Sequence, residues 1–465
     1  KPGVKTKVLM LSATPVNNRF YDLRNQLALA YEGDPSEFNE KLNIKSDIDT
    51  IFRQAQKVYN AWCKLPEKER TTATLLSQLD FDFFEVLDSV TIARSRKHIQ
   101  TYYDVADIGN FPKRNKPISL RPKLTTRPNA INYKEVYELL SKLHLTIYTP
   151  TAFIQPSKLQ KYLSEDETEK FRSGRELGIQ RLMSINLLKR MESSVHSFLL
   201  TVQRIYDYLY DTSHAIDDFI TTGANNLNEM PDLSGEADEF DYDDQNTDFF
   251  NVGKKVKIDL RDMDYISWKR EMDEDIDNLQ LLILMIEDIT PEYDFKLNEL
   301  IRIIREKAAA PINPGNKKIL IFTAFSDTAE YLYENISGMA LKELGLHTAL
   351  VTGSVDGKTT IPKFKPDMNH VLACFSPKSK DRDVLYPKDK TDIDILIATD
   401  CISEGQNLQD CDYLINYDIH WNPVRIIQRF GRIDRIGSKN DHIQLVNFWP
   451  DMDLDEYINL KSRVE

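Results

Sequence analysis

Short apolar runs recur through the last third of the chain and predict a buried parallel sheet. The predicted strands are Lys318–Phe322, His347–Thr352, Ile393–Thr399, Cys411–Tyr417 and Ile443–Phe448, and the predicted helices among them are Thr328–Leu344 and Pro423–Arg429. Alternating strands and helices are typical of a parallel α/β sheet, in which ligands bind at the loops after the strands. An earlier apolar run, Lys7–Leu11, predicts one further buried strand.

Apolar residues at helical spacing dominate the rest of the chain. The clearest stretches are Phe20–Ala30, Ile179–Ile220, Tyr265–Ile289 and Tyr293–Ala310. We therefore divide the chain into a first sheet segment (1–34), a helical protrusion (35–110), a connector (111–130), a helical insertion (131–313), a second sheet domain (314–450) and a tail (451–465). The pattern does not decide whether the helices are scaffold or contact a partner.

The net charge of −13 is concentrated in one segment. Residues 226–251 contain nine acidic side chains and no Lys or Arg. Such composition favours a solvated, mobile loop, and the alternative is a DNA mimic. The rest of the chain is close to neutral, so a local basic surface is still able to bind nucleic acid.

Several classes of protein are disfavoured by composition. Four cysteines without a CxxC pair indicate free thiols in a reducing compartment rather than a zinc site. Eight histidines without HExxH do not support a metalloprotease-type zinc site, and we assign no metal-binding residue. No apolar run is long enough to cross a membrane, so we expect a cytoplasmic protein.

Three ungapped segments carry the functional signal. They are Leu11–Asn18 (LSATPVNN), Ile397–Gln409 (IATDCISEGQNLQ) and Trp421–Gly437 (WNPVRIIQRFGRIDRIG). In this order they resemble motifs III, V and VI of the superfamily-2 helicases and ATPases. The pairing of WNP with QRxGRxxRIG resembles the Swi/Snf-like branch, especially its bacterial HepA-type members.

Weaker matches lie between these segments. Lys318–Phe325 (KILIFTAF) resembles motif IV, and Val351–Ser354 resembles the segment after it. Thr91–Lys97 and Leu187–Ser194 (LLKRMESS) resemble further stretches of this branch. The resemblance implies an α/β fold with a C-terminal RecA-like parallel-sheet domain, a large helical region and a remnant of the first RecA-like domain.

The resemblance also implies the roles of motif VI. Arg432 and Arg435 are expected to act as catalytic arginine fingers that reach ATP on the other RecA-like domain, while Gln428 orients their loop. Phosphoryl transfer requires positioned positive charge, and the planar guanidinium group binds phosphate through two hydrogen bonds. Because the two arginines are three residues apart, they are able to point the same way.

Motifs V and III are expected to serve the nucleotide and the coupling between sites. The resemblance assigns Asp400 and Gly405 to nucleotide binding, and Ser12 and Thr14 to coupling. Helix capping is the alternative for the two hydroxyl residues.

The DNA-binding candidates that the resemblance implies are Thr323, Gly353, Ser354, Thr399 and Trp421. Trp421 is equally well interpreted as a core residue. We find no base-reading element and expect binding to double-stranded DNA without sequence specificity, with a protein partner possible through the helical region.

No Walker A sequence (GxxxxGK followed by Ser or Thr) and no Asp-Glu-x-His strand occurs in the chain. We therefore expect ATP and Mg²⁺ to be bound mainly by a segment upstream of Leu11, in a parent ATP hydrolase that translocates on double-stranded DNA. This chain alone is then expected to be inactive. The alternatives are a non-catalytic DNA- or protein-binding module and the helicase part of a restriction or phage-defence enzyme.

Overall fold

The computed structural model contains two compact units, Lys1–Ile108 and Gly109–Glu465. The residues it describes are 9–11, 20–30, 44, 46–63, 65–66, 69–92, 96–103, 109–162, 169–223, 259–353, 357–403, 405–420 and 423–451. The predicted acidic loop at 226–251 and most of the predicted tail lie outside these residues. None of the described helices is both long enough and apolar enough to cross a bilayer.

The first unit is helical in its described part. Its helices are α1 (Phe20–Ala30), α2 (Ile48–Cys63), α3 (Thr72–Gln78), α4 (Phe81–Val90) and α5 (Arg96–Tyr102). Ile48, Ile51, Phe52 and Ala55 share one face of α2 and form the core with Leu23 and Leu27 of α1.

Residues 9–11 do not form the buried strand predicted over Lys7–Leu11. They have no regular structure, and the side chains of Leu9 and Leu11 are 82% and 89% exposed. A buried strand requires a partner strand and a covering layer, and the described part of this unit contains no strand.

The second unit contains a helical layer. Its helices are α6 (Tyr133–Leu140), α7 (Glu169–Ser193), α8 (Val195–Thr222), α9 (Tyr265–Glu287) and α10 (Phe295–Ala309). The stretch Ile179–Ile220 is divided at Ser194, whose backbone is extended (φ −157°, ψ 152°) and whose side chain accepts a hydrogen bond from the Ser197 amide at 3.0 Å. This cap starts α8.

The second unit also contains a mainly parallel sheet, as the apolar runs predict. Its strands are β1 (Lys113–Arg114), β2 (Ile118–Leu120), β3 (Ile319–Phe322), β4 (Thr348–Val351), β5 (Lys358–Thr359), β6 (Ile395–Ala398), β7 (Tyr413–Asn416) and β8 (His442–Phe448). Among the described residues their order is β1-β8-β7-β3-β6-β4-β5, with β2 also on β8, and β5 alone is antiparallel.

The central strands are buried on both faces. Ile319 and Ile321 of β3 contact the core under α10 and α11 (Ser326–Leu344), whereas Leu320 and Phe322 face the opposite core with α12 (Met368–Phe375). Two covered faces explain why these strands are continuous apolar runs.

Residues 111–130, predicted as a connector, contain β1 and β2. Both strands pair in parallel with β8, at His442–Ile443 and at Val446–Phe448. The connector therefore extends the sheet, and it does so with residues too polar and too few to predict a strand.

Candidate nucleotide and coupling site

The motifs meet at one edge of the sheet. Because β7, β3, β6 and β4 are neighbours and run parallel, the loops after them lie side by side at their carboxyl ends. Thr323, Gly353 and Thr399 each follow one of these strands. This is the edge at which open α/β sheets bind ligands.

Arg432 and Arg435 converge on a single carbonyl oxygen. Arg432 Nη1 donates to the main-chain oxygen of Gln406 at 3.1 Å, and Arg435 Nη2 donates to the same oxygen at 3.0 Å. Gln406 belongs to the motif V segment, so these bonds join motifs V and VI. The side chain of Gln406 also accepts a hydrogen bond from Lys380 Nζ.

Both arginines also bond to the turn that precedes them. Arg432 Nε donates to the Gln428 carbonyl at 3.0 Å, and Arg435 Nε donates to the Gly431 carbonyl at 3.2 Å. This repeated four-residue spacing aims both guanidinium groups in the same direction. Arg432 is buried and Arg435 is half-buried, and desolvation lowers the pKa of Arg435 below its ordinary value.

Gln428 is buried beneath this turn, in the last turn of α13 (Pro423–Phe430). Its main chain supports Arg432 directly, through the carbonyl just described. The structure therefore brings together the three residues predicted from motif VI.

Arg429, which sequence reasoning did not select, is fully buried behind the arginine pair. Its Nε and Nη2 donate to the two carboxylate oxygens of Asp400 at 2.7 and 2.6 Å. Its Nη1 donates to Asn416 Oδ1 and to the Asp418 carbonyl, both at 3.2 Å. The guanidinium group also lies over the Phe322 ring, 5.3 Å from its centroid.

The contact with Arg429 gives Asp400 a structural role in this conformation. The carboxylate predicted to serve the nucleotide is held by a bidentate ion pair that joins motif V to motif VI. The signal was present in the sequence, because Arg429 lies directly after Gln428 in the motif, but the resemblance drew attention to the later arginines.

Asp418, at the end of β7, is a second buried center of hydrogen bonds. Its carboxylate accepts bonds from Thr323 Oγ1 at 2.5 Å, from the Ala324 amide at 2.9 Å and from Ser193 Oγ at 2.6 Å. Thr323 has no exposed surface, so in this conformation its hydroxyl supports the loop after β3 and does not face a ligand.

The segment Leu187–Ser194 reaches this center from the helical layer. Ser193 and Ser194 both lie 2.8 Å from Thr328 Oγ1, and Arg190 donates to Asp327 Oδ2 at 2.7 Å. Arg190 is almost completely buried and lies over the Phe325 ring at 4.6 Å. The break between α7 and α8 is thus attached to the first turn of α11, directly after the loop that follows β3.

Lys296 of α10 is buried at the same junction. Its ammonium group donates to the Ser193 carbonyl at 2.8 Å and to the Glu192 carbonyl, and it lies 4.2 Å from the center of the Tyr417 ring. Burial lowers the pKa of Lys296 from 10.5 to about 8, although Asp418, Asp294 and Glu192 oppose the shift. A lysine that bonds to two helix carbonyls fixes the carboxyl end of α7.

The remaining candidate residues that the structure describes lie in the loops after β4 and β6. Thr399 is nearly buried, and its amide donates to the Val351 carbonyl at 3.2 Å. Gly353 is exposed and lies across from Cys401. Gly405 has φ +70° with open space around it, so glycine is needed there for the backbone angle. Ser12, Thr14, Ser354 and Trp421 lie outside the described residues.

Comparison with known proteins identifies a helicase domain in the part of the chain that contains the segments assigned to motifs IV, V and VI. Residues 296–437 match the family described as helicase conserved C-terminal domain. Over 66 residues the chain is 46% identical to a Bacillus subtilis protein named as an uncharacterized ATP-dependent helicase, YqhH. Over 142 residues it is 27% identical to a Schizosaccharomyces pombe protein named as a putative ATP-dependent DNA helicase, fml2.

These alignments are local. The first covers 14% of this chain and 12% of the Bacillus protein, and the second covers 30% of this chain and 16% of the yeast protein. Among solved structures, the C-terminal part of the Fun30 ATPase domain aligns at TM-score 0.30 and 15% identity, over 77% of this chain and 90% of that one. The Pyrococcus furiosus Hef helicase domain aligns at TM-score 0.33 and 14% identity, over 82% and 64%.

The family match runs from α10 to the end of motif VI, and it includes β3, β4, β6 and β7 and the converging arginines. Over residues 296–437 the chain therefore carries a helicase conserved C-terminal domain.

Proposed function

We propose that this chain is the C-terminal part of an ATP-dependent translocase on double-stranded DNA, of the Swi/Snf-like branch. It would supply motifs III to VI, while ATP and Mg²⁺ would be held mainly by a RecA-like domain encoded upstream of Leu11. Closure of the two domains over the nucleotide would bring motif VI to the transferring phosphate.

The convergence of Arg432 and Arg435 on the Gln406 carbonyl carries this proposal. A main-chain oxygen with partial negative charge accepts a hydrogen bond from each guanidinium group. Phosphate oxygens offer a stronger acceptor of the same kind, so both groups would exchange the carbonyl for the γ-phosphate as the cleft closes. Arg429 and Asp400 would keep the turn rigid during the exchange.

Binding to double-stranded DNA without sequence specificity is the second part of the proposal. The loops after β4 and β6, with Gly353 and Thr399, would contact the phosphate backbone. Gly353 leaves the main chain accessible because it has no side chain and is exposed. Affinity for duplex DNA should then fall steeply with salt and depend little on sequence.

The test is ATP hydrolysis by the full-length parent, with and without duplex DNA. We expect DNA to stimulate hydrolysis and Arg435→Ala to lower kcat by about 10³-fold or more, as expected for a lost arginine finger. The matched control is Arg302→Ala, because Arg302 lies on the exposed side of α10 and pairs with Glu299 and Glu306.

The fragment provides the second arm of this test. Residues 1–465 alone should hydrolyse no ATP. A full-length protein that stays silent with DNA, or an Arg435→Ala variant as active as Arg302→Ala, would contradict the motor proposal and favour a binding module.

A further inference from the structure

A compact group of metal-ligating atoms lies away from the arginine site, beside α12. Nε2 of His370, Sγ of Cys374 and a carboxylate oxygen of Asp389 all lie within 4.8 Å of one another. Among the described residues, this is the one cluster of three or more His, Cys, Asp or Glu side chains whose ligand atoms lie this close together. The mechanism proposed above does not use it.

The local sequence explains how the three atoms meet. His370 and Cys374 are four residues apart on α12, so they occupy the same face of the helix. Asp389 comes from the loop that leads toward β6, and the Ile393 amide at the end of this loop donates to the Cys374 carbonyl at 3.1 Å. That bond fixes the loop against the carboxyl end of the helix.

The spacing suits a small tetrahedral ion. Bonds of about 2.0–2.3 Å from zinc to nitrogen, oxygen and sulfur place neighbouring ligand atoms about 3.3–3.6 Å apart. Cys374 Sγ lies 3.7 Å from Asp389 Oδ2, and His370 Nε2 lies 2.9 Å from the same oxygen. These two separations differ from the tetrahedral values by less than about 1 Å, so small side-chain shifts would admit an ion.

The ligands are already oriented by their neighbours. The His370 ring packs on Tyr386 at 4.1 Å and on Phe364 at 4.3 Å between ring centers, which directs Nε2 toward Asp389. Asp389 Oδ1 accepts a hydrogen bond from the Thr391 amide at 3.0 Å, so Oδ2 is the oxygen presented to His370 and Cys374. Metal ligands in proteins are generally held by such outer contacts.

The donor set selects the class of metal. A thiolate, an imidazole and one carboxylate suit Zn²⁺ and related transition ions, whereas Mg²⁺ and Ca²⁺ require mainly oxygen ligands. The side chains of His370 and Asp389 are 22% and 21% exposed, so water has access to a fourth position. Cys374 is fully buried, which does not suit a role as a catalytic nucleophile.

We propose that His370, Cys374 and Asp389 bind one Zn²⁺ ion, with water as the fourth ligand. The ion fastens the loop 386–392 to α12, directly before the strand that carries motif V. This site is independent of the proposed motor function, because its ligands and its test involve neither ATP nor DNA.

The experiment is a metal titration of the whole 465-residue chain after treatment with a chelator. We expect one Zn²⁺ to bind per chain by calorimetry and to raise the Tm. Co²⁺ in its place should give a thiolate charge-transfer band and the intense visible absorption of a tetrahedral ion. The band reports sulfur coordination directly.

Variants assign the site. Cys374→Ser should remove the charge-transfer band and stoichiometric binding, whereas Cys63→Ser, which alters an exposed thiol, should change neither. If Cys374→Ser does not fold, Asp389→Asn provides the test, because the Asp389 side chain is partly exposed and tolerates replacement more easily. Loss of this carboxylate should weaken Zn²⁺ binding at least tenfold. The proposal is overturned if the chain binds no Zn²⁺ or if these variants bind it as the native chain does.

Discussion

At the scale of single residues, the candidate site depends on buried charge. Arg429 is completely buried, and its partner Asp400 is only partly covered. Lys307 of α10 and Asp412, directly before β7, form a second buried pair, at 2.8 Å. Removal of one member leaves the other charge uncompensated, which is costly in a buried place.

Replacement of Arg429 by Met tests this point. Arg429→Met keeps much of the side-chain volume but leaves Asp400 without its ion pair, so the free energy of unfolding should fall by about 3–5 kcal/mol. Arg302→Met is the control, because exposed pairs contribute about 0–1 kcal/mol. Urea unfolding of both variants gives the comparison, and equal losses would contradict the assignment of Arg429 as a buried anchor.

The stability of the folded chain should depend on pH through Lys296. Its pKa is about 8 in the folded chain and 10.5 when unperturbed, so between these values the unfolded chain binds more protons. Stability should therefore rise with pH across this window, as the cost of the buried charge disappears.

The measurement is the free energy of unfolding of the native chain minus that of Lys296→Met, taken from pH 7 to about pH 10.5. We expect the difference to increase above about pH 8. The exposed Lys342, changed to Met, should give a flat difference. A flat curve for Lys296→Met as well would mean that the ammonium group is hydrated in the folded state.

At the scale of elements, the positions of the central strands were easier to predict than the pairing of strands at the edge of the sheet. All five apolar runs of the second sheet domain are strands, because burial on both faces requires continuous apolar sequence. The polar segment Lys113–Leu120 shows no such signal, yet it pairs with β8. Such pairing depends on backbone hydrogen bonds to a strand that is distant in the chain. The local sequence pattern does not identify that strand.

The approach to β1 is tight. Gly109 has φ +82°, and a Cβ atom there would lie 2.9 Å from the Cα of Gly437 in motif VI. Both the backbone angle and the contact therefore require glycine.

We expect Gly109→Ala to destabilise the chain by more than about 1 kcal/mol, since strain and a backbone clash add together. Gly338→Ala is the matched control, because Gly338 lies within α11 with open space around it. That change should stabilise the helix by about 0.5–1 kcal/mol. Thermal unfolding distinguishes the two, and the same sign for both would contradict this account.

The site residues divide along similar lines. Arg432 and Arg435 were predictable because a motif fixes their spacing, and the structure places both on Gln406. Arg429, Asp418 and Ser193 were not, because their importance comes from contacts between segments far apart in the chain. Sequence spacing reports neighbours on one helix, whereas burial of a polar group depends on the whole fold.

At the scale of the whole molecule, the helical layer and the sheet share a polar junction. Ser193 and Lys296 connect the end of α7 to Asp418, and Arg429 continues from the Asp418 carbonyl to Asp400. A continuous chain of hydrogen bonds thus joins the helical layer to motif V. Such a chain transmits a shift of α7 only if its members move together.

The division at residue 108 gives a truncation test. A chain that begins at Gly109 keeps β1 and β2 and should fold with a cooperative transition. A chain that begins at Arg121 lacks both strands and leaves β8 as an uncovered apolar edge, so it should aggregate. Light scattering and circular dichroism compare the two, and equal behaviour would show that β1 and β2 contribute little.

The pairing of β1 and β2 with β8 also sets an order of events during synthesis. Gln444 of β8 bonds to the carbonyl of Lys116, 328 residues earlier in the chain. At typical elongation rates, the first two strands wait for their partner for on the order of tens of seconds. The edge of the sheet is therefore completed only after β8 has left the ribosome.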